Sequence, residues 1–269
     1  MTQWPSHLFM IGCGNMAGAM LSRWLDSGLD PASVTVFRPS GKPVAPGVEV
    51  VSAAPDTLPL GTMVLLGMKP QQISAVADSF AKLLGADILL VSMLAGTTTT
   101  TLRDYFPAPE NVVRVMPNTP VGVGQGVCAL YADSATAPDA RDHVADMMQP
   151  LGLVEWVEDE NAFNLVTALS GCGPAYLFRF IDALAKAGEA IGLEPVQSAR
   201  LALATVQGAS TLATQASESP AALADRVASP GGMTRKGMDV LDQDDALNRL
   251  LADTLIAARD RGIEMAEGK

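Results

Sequence analysis

Cysteine and histidine are rare in this chain, and their scarcity narrows the chemistry that it can perform. Among 269 residues there are three cysteines and two histidines. The cysteines, at Cys13, Cys128 and Cys172, are odd in number, far apart and without a Cys-x-x-Cys pair. This pattern argues against a disulfide framework and a zinc site, and it is typical of a reducing compartment. We therefore expect no bound metal ion.

Positive charge is also scarce. Eighteen lysines and arginines stand against 29 aspartates and glutamates, which gives a formal net charge of −11. An acidic surface repels nucleic acids and anionic membranes, so we expect neither as a partner. An anionic ligand would have to be held by local features such as helix N-termini.

Long hydrophobic runs are missing too. The longest, Met63–Met68 and Ile88–Leu94, are far too short to span a bilayer. Residues 1–7 contain no basic stretch ahead of an apolar run, so we expect no secretory signal and a cytoplasmic location. With 48% hydrophobic and 17% charged residues, the composition is that of a folded globular protein.

The first half of the chain alternates short apolar runs with helical patterns. Strands are predicted at Leu8–Gly12, Val34–Phe37, Val48–Val51, Met63–Met68, Asp87–Met93, Asn111–Met116, Gly126–Tyr131 and Val154–Val157. Helices are predicted at Met16–Ser27, Gln71–Leu84, Thr97–Tyr105 and Pro138–Gln149. Continuously apolar strands are typical of parallel sheets that are covered on both faces. The alternation therefore predicts an α/β fold with a Rossmann-like, doubly wound parallel sheet.

The second half is rich in alanine and leucine and shows no strand pattern. Helices are predicted at Pro174–Ile191, Pro195–Ala216, Pro220–Ala228, Gly232–Leu241 and Asp244–Glu267. We predict two domains, a nucleotide-binding domain at 1–162 and an all-helical domain at 163–269. Because the helical half is so apolar, we expect it to bury one face in a homodimer, with a larger assembly of dimers left open.

A glycine-rich turn joins the first predicted strand to the first predicted helix. Gly12, Gly14 and Ala17 match the pattern G-x-G-x-x-A. In that pattern the first glycine makes the turn, the second lets the backbone approach a pyrophosphate, and the small third residue allows close packing. The helix N-terminus favours the anion. We predict that this turn, with Asn15 and Met16, binds a dinucleotide; an ordinary structural turn is the alternative.

The end of the second strand indicates which dinucleotide, NAD or NADP, the site binds. Sites for NAD usually place a carboxylate there for the ribose 2′-hydroxyl. In this chain the first carboxylate after the second strand is Glu49, 12 residues beyond Phe37. Arg38, Ser40 and Lys42 instead offer two cations and a hydroxyl for a 2′-phosphate. A solvated basic loop is the alternative. We predict NADPH as the cofactor, with NADP preferred over NAD.

Several motifs, in order along nearly the whole chain, resemble the pyrroline-5-carboxylate reductase family. They are GCGNMA at 12–17, GMKP at 67–70, MLAG at 93–96, RVMPNTP at 114–120, LSGCGPAY at 169–176 and SPGGMT at 229–234. Cys172 stands where serine is usual in that family. The resemblance implies hydride transfer from NADPH to the C=N carbon of 1-pyrroline-5-carboxylate, which gives L-proline in the last step of proline biosynthesis.

The motifs in the first half follow predicted strands, where open α/β sheets bind ligands. The resemblance implies that they line a crevice around the ribose and nicotinamide of the cofactor. Their residues are Met68, Lys69, Pro70, Ala95, Gly96, Asn118, Thr119 and Pro120. Asn118 and Thr119 between two prolines are also typical of a plain turn.

The SPGGMT segment precedes a predicted helix, so several backbone amides can point at one anion. The resemblance implies that it holds the substrate carboxylate and that Ser229 and Thr234 are catalytic, with the Thr234 hydroxyl directed at the ring nitrogen. Simple helix capping is the alternative. The predicted substrate-binding residues are Ser229, Gly231, Gly232, Met233, Thr234 and Glu160. For Glu160, a favourable interaction with a helix dipole explains the residue equally well.

Other functions remain open at this stage. Neither His7 nor His143 lies near a motif, which suits an iminium substrate that needs no strong general acid. The chain lacks the helical lysine and asparagine of β-hydroxyacid dehydrogenases, because Lys186 is followed four residues later by Ala190. Two alternatives remain: an NADPH-dependent reductase of another small cyclic imine, and a non-catalytic NADP(H)-binding regulatory protein.

Overall fold

The computed structural model describes residues 2–266. These residues form two compact units, a first unit of residues 2–172 with 258–266 and a second unit of residues 173–257. The domain division after residue 162 stays a prediction. In the compact units, residues 163–172 and the end of the last helix belong with the sheet.

The first unit is built on one eight-stranded sheet. Its strands are β1 (Leu8–Ile11), β2 (Val34–Phe37), β3 (Glu49–Val51), β4 (Met63–Leu66), β5 (Leu89–Ser92), β6 (Asn111–Pro117), β7 (Gly126–Ala132) and β8 (Gly152–Trp156). The strand order is β3-β2-β1-β4-β5-β6-β7-β8, and β1 to β6 are parallel. From β1 the sheet grows on one side through β2 and β3 and on the other side from β4 onward, so the strand order switches between β1 and β4. Dinucleotides usually bind at this switch point in such sheets. The predicted Rossmann-like fold is confirmed.

One pairing departs from the parallel arrangement. Strand β7 runs antiparallel to β6, and only residues 118–125, with a 3₁₀ turn at Thr119–Val123, connect the two. A parallel return needs a crossover of about a dozen residues or more, so this short connection reverses the chain. Strand β8 then pairs parallel with β7.

Helices cover both faces of the sheet. They are α1 (Asn15–Asp26), α2 (Ile73–Phe80), α3 (Thr99–Tyr105) and α4 (Pro138–Met148). Alternate residues of β1 enter opposite layers: Met10 packs with residues of α1 and α4, whereas Phe9 packs with residues of α2 and α3. Because side chains alternate across a strand, burial on both sides explains why the strands read as unbroken apolar runs.

Between β8 and the helical half lies a segment to which the sequence analysis assigned no element. It contains a short helix, α5 (Phe163–Val166), and a π-helical turn at Thr167–Gly171. Phe163 is buried against Met116 and Ala129 of the sheet. The segment is therefore packed onto the sheet.

The second unit consists of helices only. They are α6 (Gly173–Ala190), α7 (Pro195–Gln215), α8 (Pro220–Val227), α9 (Met233–Asp242) and the first part of α10 (Ala246–Ala266). Helix α10 begins later than predicted because Asp244 and Asp245 have positive φ angles of 52° and 57°; Glu267, its predicted end, lies outside the described residues. None of the described helices has the length and apolar character that crossing a membrane requires.

Candidate active site

The turn between β1 and α1 has the backbone geometry that the glycine pattern requires. Gly12 has a φ of +86°, and a Cβ atom there would lie 3.0 Å from the backbone nitrogen of Met68. Gly14 has an ordinary φ of −81° at the N-cap of α1, and a Cβ there would meet nothing within 4 Å. Gly12 is thus required by the turn itself, whereas Gly14 faces open space.

Gly67, directly after β4, packs against this turn and was missed by the site predictions. Its backbone N–H donates to the carbonyl oxygen of Ile11 at 2.9 Å. A Cβ on Gly67 would lie 2.7 Å from the carbonyl oxygen of Gly12 and 3.0 Å from the Cβ of Ala17. A glycine directly after a buried apolar strand was the available signal, because it often marks a close approach of backbones.

A cavity of about 630 Å³ opens beside the turn, a size usual for cofactor sites. Its lining includes these predicted cofactor residues: Gly12, Gly14, Arg38, Ser40, Met68 and Lys69. The lining also contains Phe37 and residues of α2 and of the turn before it, and Gln72, Ala75 and Ser79 are among those that the sequence analysis did not select. Their spacing of three and four residues places them on one helix face.

The loop after β2 contributes the cation Arg38 to this cavity, beside Lys69 from the segment after β4. Its backbone is held to β3 by Arg38 N–H, which donates to the carbonyl oxygen of Val51 at 2.9 Å. The Arg38 guanidinium donates at 3.4 Å to the carbonyl oxygen of Lys42, and Lys42 itself lies outside the cavity lining. Within residues 2–266 no carboxylate lines the cavity. Burial raises the pKa of the Cys13 thiol in the same lining, and the Arg38 charge opposes that rise.

The remaining predicted cofactor residues follow the carboxyl ends of neighbouring strands. Asn15 and Met16 open α1, Pro70 opens a 3₁₀ turn after β4, and Thr119 and Pro120 open the turn after β6. The Ala95–Gly96 turn follows β5, with a φ of +69° at Gly96. Parallel strands bring these segments to one edge of the sheet, as expected; contact with a cofactor stays a prediction.

Asn118 is buried, and its side-chain amide is engaged at both ends. Its Oδ1 accepts from the backbone N–H of Val127 at 2.8 Å, and its Nδ2 donates to the carbonyl oxygen of Ser170 at 2.9 Å. The residue therefore ties β7 and the π-helical turn to the end of β6. The predicted contact between Asn118 and a cofactor stays a prediction beside this bridging role.

A second pocket of about 350 Å³ lies in the first unit, lined by Gly96, Thr98, Arg114, Glu160, Asn161, Asn164 and Ile263. In its lining, Arg114 Nη1 and the Oε1 of Glu160 are 2.9 Å apart. Burial lowers the pKa of Arg114, and the hydrogen bond and charge of Glu160 raise it again. Both oxygens of Glu160 have protein partners, because Thr99 donates to Oε1 and Oε2. Direct contact of Glu160 with a substrate stays a prediction.

The predicted substrate loop belongs to the second unit and precedes α9, as expected. Gly231 has a φ of +75°, and Gly232 N–H donates to the carbonyl oxygen of Ser229 at 2.9 Å. Gly232 is the N-cap of α9 and provides no capping side chain, so amides of the first helical turn are left without that acceptor. Ser229 and Thr234 are exposed, and Met233 is 92% exposed.

Comparison with known proteins gives relatives over almost the full chain. The pyrroline-5-carboxylate reductase of Pseudomonas aeruginosa is 33% identical over 262 residues, 96% of each chain, and that of Pisum sativum is 33% identical over 264 residues with the same coverage. Among solved structures, a pyrroline-5-carboxylate reductase from Coxiella burnetii has a TM-score of 0.85 at 31% identity, over 97% of this chain and 98% of that one. The Plasmodium falciparum pyrroline carboxylate reductase with NADP bound has a TM-score of 0.83 at 25% identity and the same coverage.

The strand order and the glycine turn define a dinucleotide-binding protein of the Rossmann type. A family model described as NADP oxidoreductase, coenzyme F420-dependent, matches residues 8–96, and one described as pyrroline-5-carboxylate reductase dimerisation matches residues 160–265. The chain belongs to the pyrroline-5-carboxylate reductase family.

Proposed function

We propose that this protein reduces the C=N bond of 1-pyrroline-5-carboxylate with NADPH and forms L-proline, the last step of proline biosynthesis. The observation that supports this best is the pairing, in one chain, of a glycine-turn cavity with an SPGGMT loop ahead of a helix. Relatives named for this reaction match 96% of the chain.

The residues present suit NADPH. The open space at Gly14 and the N-terminus of α1 provide a cradle for a pyrophosphate, and Arg38 and Ser40 provide a cation and a hydroxyl for a 2′-phosphate. No carboxylate stands in the described cavity lining, where one would bind the ribose 2′-hydroxyl of NAD and repel the 2′-phosphate of NADP. The lining therefore favours NADP over NAD. When bound, NADPH supplies the hydride.

The substrate carries one carboxylate and one cyclic imine. We assign the carboxylate to the Ser229 hydroxyl and to the backbone amides of residues 231–234, because first-turn amides and the dipole of α9 favour an anion. The Thr234 hydroxyl is assigned to the ring nitrogen, where it orients the ring. A protonated imine is already a good electrophile, so alignment is the main task of these residues.

We also propose a homodimer formed through the helical half, with a larger assembly of dimers as an extension. Apolar side chains support this, because Phe178, Leu201 and Leu203 are 62%, 50% and 56% exposed. A cytoplasmic location is part of the proposal and is supported by three cysteines that are all unpaired.

The test is to mix the purified protein with 1-pyrroline-5-carboxylate and to follow the absorbance of the reduced nicotinamide, with NADPH and NADH in parallel. We expect rapid oxidation of NADPH and slower oxidation of NADH. Oxidation only with a cyclic imine of another ring size would identify a reductase of that imine. Tight NADPH binding without oxidation of any imine would identify a non-catalytic regulator.

A further inference from the structure

Glu160 connects three segments of the first unit through its carboxylate. Oε1 accepts from the backbone N–H of Thr99 at 2.7 Å and from Arg114 Nη1 at 2.9 Å, and Oε2 accepts from the Thr99 hydroxyl at 3.0 Å. Thr99 is the first residue of α3, Arg114 lies within β6, and Glu160 follows β8. The carboxylate thus fixes the start of α3 to a neighbouring strand.

The segment that this contact fixes is the turn after β5. Residues 93–98 connect β5 to Thr99, and within them Gly96 has a φ of +69°. Gly96 and Thr98 line the same pocket as Arg114 and Glu160. Because the turn is so short, moving the start of α3 also moves Ala95 and Gly96.

The Arg114 guanidinium depends on Glu160 for its charge balance. Arg114 is 3% exposed, its Nε has no hydrogen-bond partner among the described residues, and its guanidinium lies 4.3 Å from the centroid of the Phe163 ring. Removing the carboxylate that pairs with a buried cation leaves an uncompensated buried charge, which is strongly destabilising. The side chain that carries this charge then shifts toward water. Removal of Glu160 would therefore disturb both the start of α3 and the side chain on β6.

We propose that Glu160 and Arg114 are positioning residues that set the Ala95–Gly96 turn for the nicotinamide end of the cofactor, without contacting the substrate. The inference rests on the proposed function. In this inference Glu160 acts through its hydrogen bonds with Thr99, and not through direct contact with the substrate. The adenine end of the cofactor is assigned to the cavity beside Arg38, which is lined by residues that follow β1, β2 and β4. Binding of that end should not change when Glu160 is replaced.

The experiment compares Glu160→Gln with Glu158→Gln, a matched loss of charge at an exposed residue two positions earlier. Affinities for NADPH and for adenosine 2′,5′-bisphosphate, which lacks the nicotinamide, are measured by titration, and kcat and KM by the absorbance assay. For Glu160→Gln we expect kcat to fall by about ten- to hundredfold, as misplacement of a reacting group does. NADPH affinity should fall by about fivefold, the effect of one lost hydrogen bond, while affinity for the bisphosphate stays unchanged.

The same measurements contain the results that would overturn the inference. Equal loss of affinity for NADPH and for the bisphosphate would indicate general damage, and kcat equal to that of Glu158→Gln would remove Glu160 from any positioning role. If Glu160→Gln does not fold, Thr99→Val decides, because it removes one hydroxyl and keeps the ion pair; a wild-type kcat there overturns the inference. The two affinities need no imine, so they test the positioning even if the wild-type protein reduces none.

Discussion

The backbone of Gly67 passes so close to Gly12 that a Cβ atom on Gly67 would lie 2.7 Å from the Gly12 carbonyl oxygen. The end of β4 therefore packs directly on the glycine turn. By contrast, a Cβ on Gly14 would meet nothing within 4 Å. Gly67 and Gly14 thus border the same cavity with different roles: Gly67 allows the fold to pack, and Gly14 leaves room for a ligand. Substitutions at the two positions should therefore affect stability and ligand binding differently.

Replacing Gly67 with alanine should destabilise the fold. The added methyl group would meet the Gly12 carbonyl oxygen and, at 3.0 Å, the Cβ of Ala17, and neither atom is the end of a flexible side chain. Overpacking of this kind costs about 1–3 kcal/mol. Urea unfolding should show that decrease in the free energy of unfolding. An unchanged value would mean that the two backbones can separate without cost.

Replacing Gly14 with alanine should weaken NADPH binding and leave the fold nearly intact. Its φ of −81° suits alanine, and the loss of glycine at an N-cap costs less than about 1 kcal/mol. The methyl group would occupy the space proposed for the pyrophosphate. We expect the NADPH dissociation constant to rise by about tenfold or more, equivalent to 1.4 kcal/mol. Unchanged affinity would place the pyrophosphate elsewhere.

Replacing Arg38 with alanine should remove the preference for NADPH. A hydrogen bond to a charged group contributes about 1.5–3 kcal/mol, so NADPH affinity should fall by about ten- to two-hundredfold while NADH affinity stays the same. Both are measured by fluorescence titration. Lys82→Ala is the matched control, because Lys82 is exposed and lies outside the cavity lining. Equal losses for NADPH and NADH would show that Arg38 does not discriminate between them.

The element pattern could be predicted because buried parallel strands leave an unambiguous signal. Strand β2 was predicted with its observed bounds, Val34–Phe37, and Pro195 and Pro220 marked the starts of α7 and α8. The direction of β7 could not be read in the same way. Its run of apolar residues suits either direction, and only the short connection from β6 decides it.

The partners of the site residues could not be predicted, because they lie far away along the chain. Asn118 is bonded to Ser170, and Glu160 to Thr99 and Arg114. Sequence patterns describe neighbours within a few residues, as on a helix face, and say nothing of such distant contacts. The partners of Gly67 could not be predicted for the same reason, although a glycine directly after a buried strand indicated a close approach of backbones.

The Arg103–Asp133 pair should make stability depend on pH in the acid range. Arg103 donates to both carboxylate oxygens, at 2.9 and 3.0 Å, and these bonds hold the pKa of Asp133 below its usual 3.8. The stabilisation is therefore complete above pH 3.8 and is lost as the pH falls through the lower, folded-state value. Asp133→Asn should cost about 1 kcal/mol at pH 7.

The measurement for this pair is urea unfolding of wild type and Asp133→Asn at a series of pH values. The difference between them should shrink below about pH 4, where the wild-type carboxyl takes up its proton. Asp56→Asn, at an exposed loop residue, provides a control for the general loss of negative charge. A difference that stays constant into strong acid would show that the ion pair does not contribute.

Replacing Thr234 with alanine tests the substrate loop. If its hydroxyl bonds to a nitrogen that is charged or changing charge, the loss is about 1.5–3 kcal/mol, or roughly ten- to two-hundredfold in kcat/KM at about 1.36 kcal/mol per decade. NADPH affinity and stability should change little, because Thr234 is exposed at the start of α9. Thr234→Ser keeps the hydroxyl and should recover most of the activity. Wild-type kinetics in the alanine variant would remove the Thr234 hydroxyl from the mechanism.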